Sequence, residues 1–149
     1  MRIFRVYCEA AFDHQKSMGC TAFSIVEDGG VLERTSSLES TSTANLAEMV
    51  CVMSALEELI SLGASRNDMV YLYTDFKPVC DAFDKGWISK WEENGWMNSD
   101  KRPVKHRDQW KAIRELANQL QLEFMHEERE AVSMLKKLKK QARKKLRPT

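Results

Sequence analysis

The short run Val70-Tyr71-Leu72-Tyr73-Thr74 is apolar and β-branched, and it breaks off at a carboxylate, Asp75. It follows the turn-forming stretch Gly63-Ala64-Ser65-Arg66-Asn67-Asp68, and is too short for a stable helix, so it reads as a buried central strand. An acid at the C-terminal end of such a strand is held on rigid backbone. It faces the crevice where open α/β sheets bind their ligands. The competing reading makes Asp75 the cap of a following helix, since Asp75-Phe76-Lys77-Pro78 is cap-like. The two readings separate on whether the fold brings other carboxylates to Asp75.

The segments before this strand form a meander. Ile3–Cys8 alternates as a strand ending at Glu9, and Cys20–Val26 is a second strand. The second is stopped by Glu27-Asp28-Gly29-Gly30, whose Asp-Gly pair signals a hairpin into a third strand, Val31–Leu38. Ser40-Thr41-Ser42-Thr43 then supplies cap residues for a helix. In that helix Leu46, Met49, Val50, Met53, Leu56, Leu59 and Ile60 fall at helical spacing, with an end near Gly63. After the Val70 strand the pattern predicts a short helix over Pro78–Phe83 and another from about Asp108 to Gln119. A last strand follows at Leu120–Met125, and then a basic helix over about 127–147. The expected fold class is α/β: a mixed five-stranded sheet, antiparallel meander plus parallel strands, flanked by helices.

Three acids occupy interpretable places on this frame: Glu9 ends strand one, Glu48 lies near the start of the first helix, and Asp75 ends strand four. If strands one and four are parallel neighbours, Glu9 and Asp75 finish on the same side of the sheet, and the helix can lower Glu48 onto both. Clustered carboxylates repel and raise one another's pKa, so the cluster calls for a cation. Hard oxygen donors suit Mg²⁺ or Mn²⁺, and two such ions can clamp an in-line attack on a phosphodiester.

Composition narrows the alternatives. The 149 residues suit a single domain, 1–149, with one core. Charge is nearly balanced, 23 Lys+Arg against 22 Asp+Glu, so net charge announces no polyanion partner. Its distribution is more telling, because Lys136–Arg147 carries no acid. That run is either a polyanion-binding element or a solvated helix. Cys8, Cys20, Cys51 and Cys80 are scattered without CxxC spacing or a histidine cluster, which argues against zinc and redox motifs. Cys8 and Cys51 read as small buried hydrophobes. With no apolar run long enough to span a bilayer and no signal-like N-terminus, a soluble, reducing, cytoplasmic setting is expected, and a monomer.

The same residues resemble the type 1 ribonuclease H family from about Arg5 to Phe124. Val6-Tyr7-Cys8-Glu9-Ala10-Ala11 is similar to the family's first strand, which ends in Asp-Gly-Ser/Ala. Thr43-Ala44-Asn45-Leu46-Ala47-Glu48 is similar to its Asn-x-x-(Ala/Met)-Glu helix start, and Tyr73-Thr74-Asp75 to its Thr-Asp-Ser strand end. The segment from Gly86-Trp87-Ile88 through Trp91, Gly95-Trp96 and Arg102-Pro103-Val104-Lys105 to Trp110 resembles its tryptophan-rich basic protrusion. The resemblance implies a ribonuclease H-like fold and metal ligation by Glu9, Glu48 and Asp75. It implies contact with an RNA–DNA hybrid at Asn45, and at Trp87, Trp91, Trp96, Lys101, Lys105 and Trp110 of the protrusion. Aromatic platforms and lysines suit sugar–phosphate contacts that ignore base sequence, while packing between helices is expected of at least one tryptophan.

The chain departs from the family pattern where the chemistry is concentrated. Glu9 stands in place of Asp, Phe76 in place of Ser, and His106 in place of Asn. The extra methylene of Glu9 displaces its oxygens by on the order of an ångström in a geometry that Mg²⁺ holds strictly. The Gly-His loop and Asn-Glu-x-x-Asp entry to the last helix are missing, leaving Ala131 where a fourth Asp is expected. Glu130 or Glu127 is a substitute, with His126 as a remnant of the loop histidine; the plainer reading of this Glu run is an acidic first turn of a helix. Two functions follow: a metal-dependent endoribonuclease cleaving the RNA strand of RNA–DNA hybrids, or a catalytically impaired ribonuclease H-like nucleic-acid-binding domain.

Overall fold

The computed structural model describes residues 1–38, 43–126 and 131–146. Among the described residues, five strands and five helices run in the order β1 (Ile3–Asp13), β2 (Met18–Glu27), β3 (Gly30–Leu38), α1 (Ala44–Ser61), β4 (Met69–Thr74), α2 (Lys77–Asp84), α3 (Trp87–Glu93), α4 (Arg107–Asn118), β5 (Gln121–His126) and α5 (Val132–Leu146). The sheet order is β3-β2-β1-β4-β5. β1 pairs antiparallel with β2 and parallel with β4, and β4 pairs parallel with β5. The mixed five-stranded α/β sheet expected from the sequence is therefore present, with β1 at its centre.

Asp28 and Gly29 both take positive φ, 39° and 82°, which is the left-handed pair that a tight two-residue hairpin demands. β1 outruns its expected end. Its parallel register with β4 stops at Cys8↔Thr74, but its antiparallel register with β2 continues to Asp13↔Met18. Glu9 is therefore inside a strand, one residue past the last rung shared with β4, and Asp75 is one residue past the same rung.

Alternation along β1 divides the core. Phe4, Val6 and Cys8 face the main cluster with α1, whereas Ala11, with Cys20 and Ala22 of β2, packs under Leu138 and Ala142 of α5. α1 starts from Thr43, whose side-chain oxygen accepts the Leu46 N–H at 3.0 Å. Its buried face includes Ala47, Cys51 and Ala55 at four-residue spacing. These short side chains let the helix approach β1 closely, and the Cys51 Sγ donates to the carbonyls of Glu9 and Ala22 at 3.3 and 3.4 Å. At the other end Asp68 accepts the backbone N–H groups of Arg2 and Ser65, tying the turn before β4 to the start of β1. Among the described residues no helix is long and apolar enough to cross a membrane.

Candidate active site

Three separate elements deliver the acids. Glu9 comes from β1, Asp75 from the end of β4 and Glu48 from the first turns of α1, and all three line one cleft of about 660 Å³. Asn45 and Phe76 line the same cleft, and α5 closes it with Leu135, Lys136, Lys139, Lys140 and Arg143. Asp75 is exposed at its mouth, while Glu9 is only 3% exposed. Asp75 is not the side-chain cap of α2: Phe76 holds that position without a side-chain cap, and the Phe76 N–H is instead met by the Thr74 hydroxyl.

Electrostatics mark the cluster as strained for charge. Burial pushes the Glu9 carboxyl up to about 8, with Glu48 adding to the rise and Lys139 opposing it. Burial likewise pushes Glu48 up to about 7, against the pull of Lys139 and with the push of Asp75. The Lys139 ammonium lies 3.8 Å from Glu9 Oε2 and 3.7 Å from Glu48 Oε1, and donates to the Ala10 carbonyl at 2.6 Å. The other oxygens of the pair, Glu9 Oε1 and Glu48 Oε2, are buried without a hydrogen-bond partner. Buried carboxylate oxygens without partners are costly, and a cation is the natural remedy. Among the described residues no three His, Cys, Asp or Glu side chains are disposed to hold a metal ion as they stand. The two unpartnered carboxylate oxygens beside Asp75 are hard donors, of the chemical kind that suits a divalent cation.

The family model for RNase H matches residues 2–128. The chain belongs to the ribonuclease H family. Among its relatives is a ribonuclease H of Caldanaerobacter subterraneus subsp. tengcongensis, 30% identical over 123 residues, which are 83% of this chain and 76% of the relative. Several further bacterial ribonucleases H are matched over only about half to three fifths of their own length. The fold is that of RNase H1 from the halophilic archaeon Halobacterium salinarum, with TM-score 0.70 at 19% identity over 95% of this chain and 98% of that one. It is also that of LC11-RNase H1 in its complex with an RNA/DNA hybrid, with TM-score 0.67 at 18% identity over 93% and 95%. Membership places the chain in a family of ribonuclease H-type hydrolases, and the family generally works with divalent metal ions.

The ribonuclease H-like tryptophan segment lies outside this cleft. Trp91 is its hub, with ring centroids 6.4, 6.1 and 5.5 Å from Trp87, Trp96 and Trp110. Trp110 is only 6% exposed and belongs to the core, as expected of at least one; Trp87, Trp91 and Trp96 are half-buried against it. Lys101 and Lys105 are exposed in the loop between α3 and α4, and Lys111 lies over the Trp96 ring at 5.8 Å. At the last-helix entry Ala131 is buried, and Glu127 and Glu130 lie outside the described residues. The Nε2 of His126 is 3.2 Å from the Asp75 carbonyl oxygen, beside the acids. Sequence reasoning singled out the basic run Lys136–Arg147 as a candidate polyanion-binding element but missed that it walls the cleft. Its signal was the spacing of Lys136, Lys139, Lys140 and Arg143, which shares one helical face opposite Leu138 and Ala142.

Proposed function

We propose that this chain is a divalent-metal-dependent endonuclease acting on the RNA strand of RNA–DNA hybrids, with Glu9, Glu48 and Asp75 as the metal ligands. The observation that carries it is the convergence of these acids, from three elements, on one cleft where two buried carboxylate oxygens lack a partner. The ion, Mg²⁺ or Mn²⁺, supplies activation of water and stabilisation of the leaving oxygen. The chain's own residues do the rest. The β1–β2 ladder holds Glu9, the last β1–β4 rung sets Asp75 one residue beyond it, the close approach of α1 fixes Glu48, and Asn45 with Lys136, Lys140 and Arg143 offers polar and cationic contacts to a phosphate backbone. The exposed Lys101 and Lys105 and the half-buried Trp87, Trp91 and Trp96 are proposed to hold the hybrid farther from the acids. LC11-RNase H1 is known with an RNA/DNA hybrid bound, and the same ligand class is proposed here.

A second reading, a binding domain with an impaired centre, is favoured by the longer Glu9 side chain and by the neutral, buried Ala131. One assay separates the two. A labelled hybrid is incubated with the protein in Mg²⁺ and in Mn²⁺, beside Asp75→Asn. Cleavage by the parent and a loss of about a hundredfold or more in the variant supports the nuclease. No cleavage in either metal, with salt-sensitive binding retained, supports the binding domain.

A further inference from the structure

Each of the two buried acids divides its oxygens. Glu9 turns Oε2 and Glu48 turns Oε1 toward the Lys139 ammonium, while Glu9 Oε1 and Glu48 Oε2 have no partner. The lysine is not a surface side chain that has strayed inward. Its neighbour Leu138 is fully buried, as is Ala142 one turn on, so packing against β1 and β2 sets where residue 139 enters the cleft. Its head is anchored at 2.6 Å to the carbonyl of Ala10, a residue in the β1–β2 ladder opposite Thr21. That contact is to rigid backbone and survives any rearrangement of the two carboxylates.

We propose that Lys139 is a resident cation of the acid cluster, holding one of its two cationic positions so that the chain binds a single divalent ion. Geometry supports the division: the ammonium takes one oxygen of each buried acid, and the other oxygen of each stays outside the ion pair. Among the described residues, α5 brings only basic and apolar side chains to the cleft. The donor set left over is Glu9 Oε1, Glu48 Oε2 and Asp75. An ammonium fixed in this way offsets one charge of the pair whatever the concentration of free metal.

This inference rests on the reading of the cleft as a metal site, and the test distinguishes the two. Bound Mn²⁺ is counted by calorimetry and by the loss of free-ion paramagnetic signal, without nucleic acid, for the parent, Lys139→Met and Lys139→Arg. Circular dichroism melts establish that each variant is folded. The expected counts are one ion per chain in the parent, one in Lys139→Arg and two in Lys139→Met. Lys139→Gln, which keeps a donor for the Ala10 carbonyl, replaces Lys139→Met if that variant fails to fold, with the same expected count of two. Two ions in the parent overturn the resident-cation role and leave the nuclease reading standing. One ion in both the parent and the neutral variant overturns it equally. No ion in any of them overturns both.

Discussion

Replacing Glu9 by Gln removes a buried charge while keeping the shape of the protonated side chain. The Glu9 carboxyl is raised from 4.5 to about 8, chiefly by burial and then by Glu48. Because the folded value lies above the unfolded one, the contribution to stability is full below about pH 4.5 and is lost as pH rises through about 8. At about 1.36 kcal/mol per pH unit the loss approaches about 5 kcal/mol for an isolated group. Glu48 is raised to about 7 within the same cluster, so the two share the penalty and removing one charge recovers part of it, about 2–3 kcal/mol. For a chain of this size that corresponds to a rise in Tm of about 5–10 °C. The assay is thermal unfolding in EDTA at pH 5 and pH 8.5. Parent and Glu9→Gln should melt within about 2–3 °C of each other at pH 5, where most of the contribution remains, and the variant should melt clearly higher at pH 8.5. Saturating Mn²⁺ should then raise the parent and not the variant. Equal gaps at the two pH values, or a parent that is the more stable at pH 8.5 in EDTA, would refute the electrostatic account.

Glu9→Asp shortens the ligand by one methylene and should raise hybrid cleavage if the longer side chain misplaces the ion; an unchanged or lower rate points to a site built around Glu. Replacing Lys140 and Arg143 together by Ala should weaken hybrid binding for all sequences alike. It should also flatten the dependence of log K on log salt by roughly one to two in slope, measured by fluorescence anisotropy, and an unchanged slope removes the basic wall from the interface.

Much of the frame was legible because its signals are local. The Asp28-Gly29 turn, the Thr43 cap and the isolated apolar run at Met69–Thr74 each depend on a few adjacent residues, and each stands where its chemistry puts it. The convergence of Glu9, Glu48 and Asp75 followed from parallel pairing of β1 with β4, a topological step that few alternatives compete with. The continuation of β1 through Ala10 and Ala11 was hidden, since small residues carry little strand preference of their own and are held there by β2 and by α5. Lys139 was hidden for a related reason. A helix pattern tells which residues share a face, but the placing of that face over the acids is decided by Leu138 and Ala142 docking on β1 and β2.

The shared last rung between Cys8 and Thr74 has a consequence for how errors in folding would be felt. Strand side chains alternate with a period of two, so a slip of β4 by a single residue would send Leu72 and Val70 toward the wrong layer and turn Asp75 away from Glu9 together. Solubility and chemistry are thus written in one alignment, and a misthreaded sheet has no means of being well packed yet inert.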